Sequence, residues 1–282
     1  MNPVVSIIVP FCNEEKYIAD SIESLLNQTY SNIEIVLVND HSTDKSREVC
    51  LSFTDPRVKY YEKFDIPNGR AYSRNFGIEK STGDIITFLD ADDTCMNARI
   101  ELQLNKLIEL GIKNTMCGCW VQREGLQNSL MRMPVKHDDI LKGFTRQYNR
   151  TTIVGATIMA HRDVFLKYKY KTKFKFYEDW DLLVRLGESN EIRFVNVDKP
   201  LYTYMIRIKG TKFQQDWLDY NIFMRDCQSR RLRNLKEYES PEEMFSELNS
   251  TRVLFQQHQL LLTLTKADFL FRRNHHDLNN QD

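Results

Sequence analysis

The run Asp84-Ile85-Ile86-Thr87-Phe88-Leu89 ends in Asp90-Ala91-Asp92-Asp93, and this junction constrains the fold more than any other stretch. Its apolar residues read as a buried strand. Three carboxylates then follow within four residues. A buried strand with charge at its tip places that charge on the rim of a sheet, where open α/β sheets bind their ligands. Neighbouring acids repel, and a divalent cation is the usual compensation. Oxygen ligands suit Mg²⁺ or Mn²⁺, ions that commonly bridge to a substrate diphosphate. The first expectation is therefore a metal-dependent enzyme acting on a nucleotide-linked substrate.

The first hundred residues alternate between apolar runs and helical patterns. Val4 to Val9 reads as a strand. Asn13 is placed to cap a helix whose first turn carries Glu14 and Glu15, favoured at the positive helix end. Ile18, Ile22, Leu25 and Leu26 recur at helical spacing as its buried face. Ile33 to Val38 is a second strand, ended by Asn39-Asp40. Thr43 to Phe53 reads as a helix and Arg57 to Tyr61 as a short strand. A helix from Gly69 to Lys80 is broken by Ser81-Thr82-Gly83. This alternation predicts a parallel sheet with right-handed crossovers.

Farther on, Arg99 to Leu110 reads as an amphipathic helix, and Met116 to Gln122 and Thr152 to Ala160 as strands. Arg123 to Lys136 reads as a loop over the site. Glu178 to Leu186 is helical, and Ile192 to Val197 and Leu201 to Ile206 are short strands. From Thr211 the pattern is entirely helical, with Trp217, Tyr220, Phe223 and Met224 in one stripe. Ser240-Pro241-Glu242-Glu243 is a helix start with Pro at the first helical position.

The chain has 282 residues and a formal net charge of zero, so no basic field argues for nucleic acid. No apolar run approaches the roughly 20 residues that span a bilayer. The N-terminus has neither the basic start nor the cleavage site of a signal peptide. The six cysteines lack disulfide-framework and zinc spacing, and Cys117 and Cys119 are expected to be structural thiols. The expectation is a protein of the reducing cytoplasm.

Asp40 closes the second strand much as Asp90 closes the fourth, and both should reach one crevice. There Asp40 either accepts hydrogen bonds from a base or ribose or caps the segment that follows. Asn68-Gly69-Arg70-Ala71-Tyr72-Ser73-Arg74-Asn75 brings a glycine turn and two arginines to a helix N-terminus, which suits anionic or base contacts. Arginines on a helix surface also serve solubility. Tyr177-Glu178-Asp179-Trp180-Asp181 is a second acidic cluster. Helix-dipole compensation accounts for Glu178 and Asp181. Tyr177 and Trp180 suit a sugar face, and a carboxylate partly shielded by them makes a competent general base.

Taken in order, these segments resemble the family 2 glycosyltransferases, which have the GT-A fold. The resemblance runs over roughly residues 3 to 210. It is carried by Val5-Ser6-Ile7-Ile8-Val9-Pro10-Phe11-Cys12-Asn13-Glu14, by Gln28-Thr29-Tyr30 with Glu34 to Asp44, and by Ser73-Arg74-Asn75. Gly83-Asp84, Phe88 to Asp93 and Glu178-Asp179-Trp180-Asp181-Leu182 complete it. It implies an α/β chain with a Rossmann-like, mostly parallel central sheet flanked by helices. Residues 1–93 would form the nucleotide-binding half of a 1–210 catalytic domain and 94–210 the acceptor-binding half. Residues 211–282 would be a helical extension.

By the same resemblance, Pro10, Phe11, Asn13, Glu14, Asp40 and Arg74 would hold the nucleotide, with Asp40 at the base. Asp90, Ala91 and Asp92 would line the donor, with Asp90 toward the ribose. Asp92 would bind the divalent metal, Mn²⁺ or Mg²⁺. Asp179 would deprotonate the acceptor hydroxyl in an inverting displacement. Asp93, Glu178, Trp180, Arg207 and Lys209 stand as further diphosphate or acceptor contacts. The implied donor is a nucleotide sugar, UDP-linked foremost, and the acceptor a glycan or lipid-linked sugar in surface-polysaccharide synthesis.

The chain departs from the family pattern in two places. Where relatives carry a metal-binding His after the last short strand, Tyr202 to Gly210 has Arg207 and Lys209, which cannot bind a metal. In place of a Gly-Gly-Phe-Asp-Glu-like turn stands the basic run Lys167 to Lys175. It reads as a solvated loop or as a seat for an anionic acceptor or lipid headgroup. The apolar run from Leu254 to Phe271, followed by Arg272 and Arg273, is expected to fold back on the chain or join a homo-oligomer. Peripheral contact with the inner face of the membrane is its alternative. A nucleotidyltransferase would want a Gly-rich basic loop after the first strand, where this chain has Phe11-Cys12-Asn13-Glu14-Glu15-Lys16. A catalytically silent nucleotide-sugar-binding protein fits the missing His but not the retained Asp92 and Asp179.

Overall fold

Strands β1 (Val5–Phe11), β2 (Ile33–Asn39), β3 (Val58–Glu62) and β4 (Ile85–Phe88) form the heart of the fold, because their apolar runs can be buried on both faces. They lie parallel in the order β3-β2-β1-β4. Val5, Ile7 and Val9 of β1 face one core with Ile18, Ile22 and Leu25 of α1 (Ile18–Leu26). Ile8, from the opposite face, joins Ala71 and Ile78 of α3 (Arg70–Lys80). The computed structural model describes residues 2–125, 128–144, 151–206 and 211–250. The chain divides into two units between Trp217 and Leu218.

Beyond β4 the same sheet continues through β8 (Met159–His161), β6 (Thr115–Glu124), β9 (Arg193–Met205) and β5 (Thr94–Cys95). β8 is antiparallel to both β4 and β6, β9 runs parallel to β6, and β5 is antiparallel to β9. β7 (Ser129–Met131) pairs back on β6. Helices α4 (Arg99–Leu110), α5 (His137–Gly143), α6 (Arg162–Tyr168) and α7 (Glu178–Ser189) complete this unit, with the short α2 (Ser46–Leu51) earlier in the chain.

Several expected elements change. α1 begins at Ile18 rather than after Asn13. Asn13 has φ 59°, and its Oδ1 accepts from the Thr43 N–H at 2.7 Å, so it clasps a neighbouring loop instead of capping a helix. α2 is short because the Asp44 side chain takes the Ser46 N–H at 3.0 Å and delays the helix start. The expected loop at 123–136 contains the end of β6 and all of β7. The two strands expected between 192 and 206 are one, with an irregular register where Pro200 faces Trp120. Proline has no N–H to give to the ladder there. Of the stretch 152–160 only the end is strand, and Gly155–Thr157 is a single 3-10 turn.

In the second unit, α8 (Thr211–Leu232) crosses the boundary and α9 (Pro241–Ser250) follows. Ile222, Phe223, Met224 and Cys227 are buried, and the Arg230 guanidinium lies 4.0 Å over the Tyr238 ring. α9 starts at Pro241 as expected, with Ser240 Oγ accepting from the Glu243 N–H at 3.2 Å. The apolar run from Leu254 to Phe271, with Arg272 and Arg273, lies outside the described residues. Among the described residues, no helix is long and apolar enough to cross a membrane.

Candidate active site

β2 and β4 flank β1, so the residues that follow them share one rim. Asp40, just past β2, is nearly buried. Its Oδ2 accepts from the Gly69 N–H at 2.8 Å, and its Oδ1 lies 2.5 Å from Lys63 Nζ. Lys63 is itself fully buried and also donates to Pro67 O (2.7 Å) and Ser73 Oγ (3.1 Å). It fixes both Asp40 and the turn into α3. Sequence reasoning passed over it, since one lysine after a strand carries no pattern.

Phe11 is buried, so its side chain belongs to the core. Its carbonyl accepts from the Asp40 N–H at 2.7 Å. Ala91 is buried too, and the carbonyls of Ala91 and Asp93 accept from Ser21 Oγ at 2.8 and 2.6 Å. Pro10 is the penultimate residue of β1, and the Glu14 N–H donates to Ser46 Oγ at 2.8 Å. The residues expected around the nucleotide thus meet at one rim, several of them through their backbone.

Asp93 corrects an expectation. It is fully buried, with Oδ2 accepting from the Tyr202 hydroxyl at 2.7 Å and Oδ1 from the Met205 N–H at 2.9 Å. The Tyr202 oxygen in turn accepts from the Asp90 N–H at 3.2 Å. Asp93 is therefore an inward anchor that ties the acid turn to the end of β9, not a diphosphate contact. Burial, with the charges of Asp90 and Asp92, pushes its carboxyl up to about 8, although Tyr202 and Met205 oppose the shift. Asp90 and Asp92 remain partly exposed at the rim.

Among the described residues, no three His, Cys, Asp or Glu side chains converge as a ready-made metal cage. Mg²⁺ and Mn²⁺ do not require one, since one or two carboxylates, substrate phosphates and water complete their shell. Asp90 and Asp92 add to burial in raising Asp93, so their carboxylates lie close to one another at this rim. Asp92, with Asp90 beside it, suits such an ion. The cysteines do not contribute: Cys117 and Cys119 are free, buried thiols.

Arg74 corrects a second expectation. It is almost wholly buried, pairs with Glu178 through Nη1, and reaches Asp90 Oδ1 at 3.1 Å through Nη2. The rings of Tyr170 and Phe88 lie 5.5 and 6.0 Å from it. Burial alone would push the guanidinium down, but Glu178 and Asp90 outweigh it and keep the cation charged. Arg74 is a strut between the acid turn after β4 and the start of α7, rather than an open nucleotide contact.

At the start of α7 the three acids separate. Glu178 is committed to Arg74. Asp181, fully buried, accepts from Arg185 Nε at 2.7 Å. Asp179 accepts from the Trp180 N–H at 2.8 Å and has no cation partner among the described residues. It lies against Gly155, where a Cβ would fall 2.2 Å from its Oδ2. Trp180 is half-buried and packs edge-on against Phe144 at 5.6 Å, at the margin of the core that holds Ile8 and Phe88.

The basic run resolves into surface and core. Lys167 and Lys169 pair with Glu191 (2.5 Å) and Glu79 (3.3 Å) on the surface, while Tyr170 and Phe174 are buried. Arg207 and Lys209 lie outside the described residues.

Comparison with known proteins places the chain in a family and gives its architecture. Residues 6–169 match the family model for glycosyl transferase family 2. An uncharacterized glycosyltransferase of Haemophilus influenzae is 47% identical over 110 residues, covering 38% of this chain and 43% of that protein. The Escherichia coli UDP-Glc:alpha-D-GlcNAc-diphosphoundecaprenol beta-1,3-glucosyltransferase WfgD is 37% identical over 109 residues, covering 39% and 43%. The chain thus spans less than half the length of these curated relatives. Among solved structures, Staphylococcus aureus TarS with UDP-GlcNAc superposes at a TM-score of 0.63 and 18% identity, over 78% of this chain and 65% of that one. The Pyrobaculum calidifontis mannosyltransferase PcManGT with GDP-Man and Mn²⁺ superposes at 0.60 and 16% identity, over 86% and 67%. These likenesses establish the GT-A architecture, and the family match establishes that the chain belongs to glycosyl transferase family 2.

Proposed function

We propose that this chain is an inverting glycosyltransferase that moves a sugar from a nucleoside-diphosphate donor, UDP-linked foremost, to a hydroxyl of a glycan or lipid-linked acceptor. The observation that carries the reading is the separation of roles at the start of α7. Glu178 and Asp181 are paired with arginines, and of the three acids Asp179 is the one with no cation partner among the described residues. A base of that kind takes the acceptor proton as the acceptor oxygen attacks the anomeric carbon. The bond from that carbon to the diphosphate oxygen breaks on the opposite face, so the configuration inverts and no glycosyl-enzyme forms. Asp40, held by Lys63, would receive the base of the nucleotide, and Asp90 the ribose. Asp92 would hold the divalent ion, which neutralises the charge gathering on the leaving diphosphate. The nucleotide sugars named with TarS and PcManGT, and the lipid-linked acceptor named for WfgD, support these substrate classes.

The test is a donor screen with UDP-glucose, UDP-GlcNAc and GDP-mannose in Mn²⁺ or Mg²⁺, read by thermal shift and by release of free nucleotide. We expect stabilisation by a UDP-sugar, lost with EDTA and in Asp92→Ala. No response to any of the three would overturn the reading.

A further inference from the structure

The turn Gly155–Thr157 touches the candidate base and is itself held from behind. A Cβ on Gly155 would lie 2.2 Å from Oδ2, 2.7 Å from Cγ and 2.5 Å from Cβ of Asp179. The carboxylate can swing, but the Asp179 Cβ is fixed to its helix, so alanine and aspartate cannot both keep these positions. Gly155 does not lie in the left-handed region, so its backbone alone would accept alanine. What demands glycine here is the neighbouring acid.

The turn has no room to retreat. Arg99, fully buried, donates through Nη2 to Ala156 O (3.2 Å), Phe88 O (2.9 Å) and Thr87 Oγ1 (3.0 Å). Its Nε donates to Gln103 Oε1 at 3.0 Å, and Gln103 Nε2 donates to Thr157 O (2.8 Å) and Cys117 O (3.0 Å). Thr87 Oγ1 donates to Ile158 O at 2.8 Å. Three successive carbonyls, 156 to 158, are thereby tied to α4 and β4. On the other side, Asp179 is fixed by its bond to the Trp180 N–H and by the anchoring of Glu178 to Arg74.

We propose that Gly155, held by Arg99 and Gln103, is a positioning residue that sets where the Asp179 carboxylate stands. The inference rests on the reading of Asp179 as the base. It goes beyond that reading by naming the backbone turn against which the acid is held.

The experiment uses the full chain and follows nucleotide release from UDP-glucose and UDP-GlcNAc with water as acceptor, alongside UDP affinity and melting temperature. In Gly155→Ala, kcat should fall roughly 10²-fold, and donor KM and UDP affinity should change less than about twofold. The acidic limb of the pH–rate profile should move, as a merely structural defect would not make it do. In an Asp179→Asn background, Gly155→Ala should add no further loss. Wild-type kcat in Gly155→Ala, or a loss of the same factor in both backgrounds, overturns the proposal. Full turnover in Asp179→Asn overturns the base reading, and this one with it. Loss in Asp179→Asn with none in Gly155→Ala overturns this one alone. Should Gly155→Ala fail to fold, Gln103→Met frees Thr157 O without adding atoms beside Asp179. The same split between kcat and KM is expected there, and an unchanged kcat overturns the proposal.

Discussion

The acids after β4 and the acids that open α7 are equally dense, three carboxylates in four residues, yet their charge is settled differently. At α7, Glu178 meets Arg74 and Asp181 meets Arg185. After β4, Asp93 is met by neutral donors, the Tyr202 hydroxyl and the Met205 N–H, and Arg74 reaches across to Asp90. A cluster balanced by arginines from the same chain can leave one carboxylate for proton transfer. A cluster that turns one acid inward onto neutral donors keeps the other two at the rim, where a divalent ion and its phosphates would be held. Sequence density of acids does not separate these cases, whereas the identity of the donors does.

The sharpest way to break this contrast is Asp179→Asn. It keeps the shape and removes the base, so turnover should fall by about 10²–10⁴-fold with UDP affinity retained. Titration with UDP beside a nucleotide-release assay measures both. An amide at 179 that turns over normally would remove the contrast, because the balanced cluster would then hold no base.

Next in size is the strut. Arg74→Met leaves Glu178 buried without its cation and should cost about 3–5 kcal/mol in urea unfolding. Arg74→Lys keeps a charge but cannot fork between Glu178 and Asp90, and should recover only part of it. Adding Glu178→Gln to Arg74→Met should restore stability, since no buried charge then stands alone. Equal stability of Arg74→Met and the wild type would show that the two acid clusters are not joined through this residue.

The same contrast explains what was legible in the chain. β1, β2 and β4 were readable because a strand buried on both faces must be apolar throughout, and the acids at their ends stand out against it. The division of roles among Glu178, Asp179 and Asp181 was only half readable. Dipole compensation accounted for two of the acids, but the partner of Glu178 lies 104 residues away. Lys63 and Tyr202 act through single contacts that no spacing announces. Gly155 did leave a signal: an isolated glycine within a strand-like stretch marks a bulge or a close approach. Here it marked both the end of the strand reading and the seat of Asp179. The merging of two expected strands into β9 depended on β6 tolerating Pro200 at an irregular register, a property of the partner strand rather than of the segment.

Glu34 supplies the smallest test, because it is an acid satisfied by neutral donors at the opposite end of β2 from the rim. It is nearly buried and accepts from Ser6 Oγ (2.5 Å), the Thr82 N–H (2.5 Å), Thr82 Oγ1 (2.9 Å) and the Gly83 N–H (3.2 Å). Burial alone would raise its pKa, but these bonds outweigh burial and hold it below the ordinary value of 4.5. A depressed pKa means that the folded state favours the carboxylate. Its stabilisation is therefore complete above that ordinary value and is lost as the pH falls through the depressed one. Glu34→Gln should cost about 1–3 kcal/mol at neutral pH and should flatten the acid limb of the stability curve. Urea midpoints at pH 7 and pH 3 for both proteins measure this. If the wild type and Glu34→Gln lose the same stability between those two values, the neutral donors do not favour the charged form. The contrast in which burial and the charges of Asp90 and Asp92 raise Asp93, while neutral donors hold Glu34 down, would then lose its control.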